Sequence, residues 1–284
     1  LLFILCIVNN LVFGATYYWV GGSGNWSDYS THWAVSSGGS FFHGQVPTSL
    51  DDVVFDANSF LSPGQSVNID STIAYCKDMR WQSVRPNSNL TCSSSSTELK
   101  IFGSLQLASG MQCTYNGALK FESLNSGNTI RTNGVTIGGS IQLNGIGGGW
   151  SLQDSLLLSG AFAHNNGAFT TNSWDMRCNS FASSSGVLDF GSSTIRCTGI
   201  TNGNGSLYSI ASGVQFLSNQ SSLVINDGEI YGGGFTYRRI SIVGNMEAEL
   251  YGTNRIGRLD CYPVQFAPYG LIVHESRIKI TTYL

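Results

Sequence analysis

Leu105-Gln106-Leu107, Leu119-Lys120-Phe121, Ile141-Gln142-Leu143, Leu156-Leu157-Leu158, Leu188-Asp189-Phe190, Leu223-Val224-Ile225, Ile240-Ser241-Ile242 and Ile278-Lys279-Ile280 are one phrase that keeps returning. Two apolar residues flank a variable one, and Gly, Ser or Asn follows closely. Apolar–variable–apolar alternation reads as a short half-buried strand. Neighbouring phrases begin 14, 22, 15 and 17 residues apart, and the wider gaps of 32, 35 and 38 read as two units with a blurred one between. Self-similarity at so short a period marks a solenoid. Units averaging about 18 residues are too short for a propeller blade of about 40–45 residues and suit one coil of a parallel β-helix. Sustained helical periodicity is absent, and Asn-Gly dipeptides do not recur at hairpin register. The expected fold is therefore all-β, a right-handed parallel β-helix, the hand following from the crossover rule.

Working outward, the chain divides into three zones. Residues 64–284 carry the repeat. Residues 16–63 are rich in aromatic side chains and carry no repeat. Open strand edges invite pairing with other chains, so this zone is expected to be an N-terminal aromatic cap. Residues 1–15 are read as a partial signal peptide. The run 1–13, LLFILCIVNNLVF, is of secretory-signal type and falls short of the ~20 residues of a membrane span. Gly14 and Ala15 permit cleavage near 14–16. No Met or basic segment precedes the run, and the strand-like 277–280 stops without a closing segment, so both ends are expected to be truncated.

Composition narrows the function. Charged residues make up 11% of the 284 residues, against about 25% in an ordinary soluble domain. Ser, Asn, Thr and Gly must supply the polar surface, as suits a secreted or cell-surface protein. A net charge of −3 gives no footprint for nucleic acid. Arg238, Arg239, Arg255 and Arg258 cluster locally, but Glu247 and Glu249 interrupt them, so the stretch reads as a solvated mixed-charge face.

Candidate sites are few. Trp19, Trp26 and Trp33, each seven apart, are either sugar-stacking platforms or an apolar plug at the end of the helix. Asp51, Asp52 and Asp56 offer oxygen ligands for Ca²⁺, though without a calcium-loop pattern. Asp175 with Asp189, or Asp227 with Glu229, are the carboxylates a glycosidase would use. Cys178 and Cys197, 19 apart, would stack on adjacent coils as a disulfide or as free thiols packed like small hydrophobes. CxxC, HExxH and GxSxG motifs are all missing, and no cofactor is expected.

The opening stretch carries a resemblance. Tyr17-Tyr18-Trp19-Val20-Gly21-Gly22-Ser23-Gly24-Asn25-Trp26-Ser27, then His32-Trp33, Val46-Pro47 and Asp51-Asp52-Val53-Val54-Phe55-Asp56, resembles the start of large β-helical surface proteins of Bacteroidetes and of autotransporter-type passenger solenoids. Gly148–Asp154, Leu188–Ile195 and Gly232–Tyr237 are similar to the bacteroidetal repeats. The resemblance implies an adhesin-like protein exported by a type IX system. The resulting expectation is a non-enzymatic structural or adhesive solenoid, a stiff stalk with glycans or a cell surface as partner. The alternatives are a β-helix polysaccharide lyase or glycoside hydrolase, and a trimeric fibre or spike.

Overall fold

The structure, a computed structural model, describes residues 14–199, 206–217, 220–226, 228–243, 248–261 and 271–273. It is an all-β solenoid. Three sheets hold ten strands (sheet A), eleven (sheet B) and ten (sheet C). From Asp52 to Tyr231 each coil contributes one strand to A, B and C in turn, and each strand pairs in parallel with its counterpart in the next coil. Sheet A's last described strand is Gln215–Phe216; beyond it the described strands alternate between B and C. Among the described residues one four-residue helix, Tyr29–His32, interrupts the β pattern.

The alternation in the sequence becomes an inside and an outside. Glu98–Ile101, Ala118–Phe121 and Ser140–Leu143 each bury every second residue. In-register pairing then stacks like on like: Leu99, Leu119 and Ile141 form one inward column of sheet C. Phe162, Phe181 and Tyr208 continue it as a ring ladder with centroids 5.5 and 5.4 Å apart. Each coil closes its core only against its neighbours, which is how a solenoid is stabilised.

Two expectations need correction. The quoted phrases are not one position of a repeat. Leu105 and Leu188 lie on sheet A, Leu156, Leu223 and Ile240 on B, and Leu119 and Ile141 on C; Ile278–Ile280 lie outside the described residues. Their spacings therefore mix steps within a coil and between coils. The true repeat, read from sheet A pairing, is 26 residues from Val53 to Met79, 26 to Leu105 and 25 to Ile130. It shortens to 22 from Asn128 to Trp150, and to 19 from Gly149 to Ala168 and again to Val187, then lengthens to 28 at Gln215. The boundary at 63/64 also falls inside a coil, because Asp52–Phe55, Ser66–Ile69 and Ile73–Cys76 are consecutive strands of A, B and C. The solenoid pairing reaches back to Thr16–Trp19, which lies parallel to Asp52–Phe55. Trp33–Ala34 folds over that first strand as the one antiparallel strand pairing among the described residues.

Candidate functional site

The three tryptophans offered as sugar platforms are core residues. Trp19, Trp26 and Trp33 have at most 1% exposure. Trp33 meets Trp19 and Trp26 edge-on at 4.9 and 4.8 Å, and the other face of the Trp19 ring stacks on His32 at 4.5 Å. The Trp19 and Trp33 indole N–H groups donate to the carbonyls of Gly22 and Trp26. The Trp26 indole N–H is buried without a partner, and rings this deeply buried cannot stack on a ligand.

The acidic candidates disperse. Asp51 is buried and saturated: it accepts from the Ala15 N–H at 2.7 Å, the Thr48 N–H at 2.8 Å and the Thr48 hydroxyl at 2.6 Å. Asp52 faces Lys77 at 3.7 Å, and Asp56 accepts from the Asn58 N–H. These carboxylates brace turns and do not converge on an ion; among the described residues no group of three or more His, Cys, Asp or Glu converges. Asp175 accepts from the Thr194 N–H and Asp189 from the Gly191 N–H, so both hold corners; Asp175 precedes a sheet B strand and Asp189 ends one on sheet A. Asp227 lies outside the described residues.

Cys178 and Cys197 do stack on adjacent coils, directly opposite in sheet B. Both thiols are free and buried. Burial, then the neighbouring Cys178, pushes the Cys197 thiol well up. The pair fills the inward column of sheet B as small hydrophobes.

Glu229 keeps its interest, with a partner the sequence reading overlooked. On the outer face of sheet C the register runs Tyr75, Lys100, Lys120, Gln142, Ala163, Ala182, Ser209, Tyr231, Tyr251. Large side chains stand at both ends, with three small ones between. The result is a trough whose floor is Ala163, Ala182 and Ser209. Four rung spacings of about 4.8 Å separate Gln142 from Tyr231. At its end the Tyr231 and Tyr251 rings stack at 4.6 Å and 7°. One face of Tyr231 is thus covered, and the opposite face looks along the column over Ser209. Glu229 sits two residues away on the same face, and Glu249 lies opposite it in the next strand.

The phenols are held neutral. A hydrogen bond to Glu249, followed by desolvation, raises the Tyr251 hydroxyl to about 12; desolvation, then Glu229, raises that of Tyr231. The ladder is irregular here: Ser206 pairs with Glu229 and Tyr208 with Ile230, so Leu207 is an extra residue. Leu207 and Tyr208 both point inward, and the bulge restores Ser209 to the outer floor. Bulges concentrate beside functional sites, where they re-aim side chains. A sequence signal for this site existed: Gly228-Glu229-Ile230-Tyr231 and Ala248-Glu249-Leu250-Tyr251 repeat one pattern 20 residues apart.

A second groove, of about 350 Å³, runs over sheet A where the coils are shortest. Its floor includes Gly149, Ala168, Ser151 and Thr170, and Asp189 and Leu217 line it too. Among the described residues no helix is long and apolar enough to cross a membrane. Comparison with protein-family models, curated proteins and solved structures finds no match to this chain.

Proposed function

We propose that the chain is an exported, non-enzymatic adhesive solenoid that holds a glycan in the trough of sheet C. The observation that carries this reading is the uncovered face of Tyr231 beside the Glu229 carboxylate, over the small side chains of Ser209 and Ala182. An aromatic face packs on the apolar face of a sugar ring, and a carboxylate accepts its hydroxyls. The parallel ladder beneath fixes both groups before binding, which reduces the ordering cost of association. The segment between Trp19 and Asp52 acts as the cap in this reading, supported by the antiparallel strand Trp33–Ala34 laid on Thr16–Trp19. The coils wind right-handed, as parallel crossovers do. Export is supported by the leader-like run 1–13 and by the Ser- and Asn-rich surface, and the resemblance to bacteroidetal surface solenoids supports a place on the cell surface.

A glycan-array screen, followed by titration of the best ligand, tests this. Tyr231→Ala should weaken binding about tenfold, the equivalent of about 1.4 kcal/mol, with thermal unfolding unchanged. An array without binders, or equal affinity in the variant, sinks the reading.

One observation favours a hydrolase as the second reading. Glu229 and Glu249 lie directly opposite each other on adjacent strands, and a pair of neighbouring carboxylates is what a glycosidase requires. Reducing-sugar release from a bound glycan, lost in Glu229→Gln, would replace the adhesive reading with this one.

A further inference from the structure

The four arginines that read as part of a mixed-charge face, Arg238, Arg239, Arg255 and Arg258, lie on sheet B. Glu249 lies on sheet C, and Glu247 is outside the described residues. From Met176 to Cys261 the described sheet B strands carry Arg177, Arg196, Arg238, Arg239, Arg255 and Arg258, and one carboxylate, Asp260. Asp260 is shared by Arg239 and Arg258 at 2.5 and 2.8 Å. Arg177 and Arg196 stand directly opposite each other on adjacent strands, both exposed, and no ion pair joins either to a described residue. Asp175, the nearest carboxylate in sequence, is turned to the Thr194 N–H. Like charges directly opposite in a sheet destabilise it, so this stack carries a cost that a bound anion would remove.

Beside Arg177 is a small cavity of about 170 Å³, lined by Thr136, Leu157, Leu158, Ser159, Arg177 and Thr198. Thr198 already donates its hydroxyl to the Cys178 carbonyl. The hydroxyls of Thr136 and Ser159 and the Arg177 guanidinium give the cavity three donor groups, the recognition chemistry of a sulfate or carboxylate.

We propose that sheet B is a docking strip for an anionic polysaccharide, with one sulfate or carboxylate group seated beside Arg177 and the chain continuing along the solenoid axis over Arg196 toward Arg239 and Arg258. Arg177 and Arg196 stand one strand spacing, about 4.7–4.9 Å, apart, and the arginine-free strand Ser222–Ile225 separates them from Arg239 and Arg258, so the positive charge comes in two groups along the strip, which a polymer carrying anionic groups on several of its sugars can span. The strip lies on a different sheet from the Tyr231 trough, so the two sites fail independently.

The test is binding of the full chain to heparin, to polygalacturonate and to neutral dextran, at low and at physiological salt. Binding to either anionic polymer but not dextran is expected, weakening as salt screens the charges. Sulfate-only and carboxylate-only retention would each identify the source of the anion. Arg177→Gln/Arg196→Gln should lower the affinity at least tenfold and flatten the salt dependence, with the circular dichroism spectrum unchanged; Tyr231→Ala should leave it unaltered. Unchanged affinity in the double variant, retention on dextran, or equal affinity for double-stranded DNA would overturn the proposal.

Discussion

His164 has no exposed surface, and its ring bonds to the Ser183 hydroxyl at 2.9 Å and the Gly167 carbonyl at 3.2 Å. Burial lowers its pKa from the ordinary value. Above pH ~6.5 the ring is neutral in both folded and unfolded chains. Below that, the unfolded chain takes up a proton that the folded one resists, so stability falls with pH until the folded ring also titrates. The urea midpoint should therefore drop between pH 7.5 and 5.5, with a ceiling of about 1.4 kcal/mol for the first unit below the unfolded pKa. His164→Leu/Ser183→Ala should flatten that slope; an equal slope would place its origin elsewhere. The thiols give a second prediction. Cys92 is partly exposed, whereas Cys76, Cys113, Cys178 and Cys197 are buried, and burial pushes the Cys113 thiol up to about 12. The reactive species is the thiolate. Iodoacetamide followed by peptide mapping should label Cys92 in the native protein, and those four only after denaturation.

At the scale of the element, corners decide what strands do. Gly117, Gly139 and Gly160 stack at the turn into sheet C. A Cβ on Gly139 would come within 2.1 Å of the Gly117 carbonyl oxygen, and one on Gly160 within 2.4 Å of that of Gly139. Successive backbones approach too closely for any side chain. Gly139→Ala should thus cost about 1–3 kcal/mol, the range for overpacking, read as a lower urea midpoint; a neutral result would mean the corner can open. Asn133, at φ 49°, donates its side-chain amide to the Leu107 carbonyl one coil below, and Asn172, at φ 51°, does the same to Leu152. Strand alternation and corner residues were legible in the sequence because both are local. Which sheet a strand joins was not. Leu119 and Ile141 share sheet C while Leu156 turns to sheet B, and corner length, varying from coil to coil, sets that membership.

At the scale of the molecule, the candidate site lies in a column that runs across coils. The trough joins Ala163 to Tyr231 through four strands of one sheet, and no window of sequence contains it. Glu229 was visible as a carboxylate, but the ring beside it and the floor beneath it follow only from register. The regular spacing of the tryptophans is local, and it serves the packing of the first coils, in keeping with the apolar plug that is one of the two sequence readings. The core itself is continuous. Phe181 touches Phe162 below and Tyr208 above, so Phe181→Ala should cost about 3–5 kcal/mol, measurable by denaturant titration, and loosen the coils on both sides together.

The uneven coil length has a mechanical meaning. Pulled by its two ends, a stack held mainly by neighbour contacts yields one turn at a time. Each released turn adds its own length of slack, at about 3.3–3.6 Å per residue. The 19-residue turn from Gly149 to Ala168 would release roughly 6–7 nm, and the 28-residue turn from Val187 to Gln215 roughly 9–10 nm. The order of short and long steps in a force trace would report which end of the solenoid gives way first.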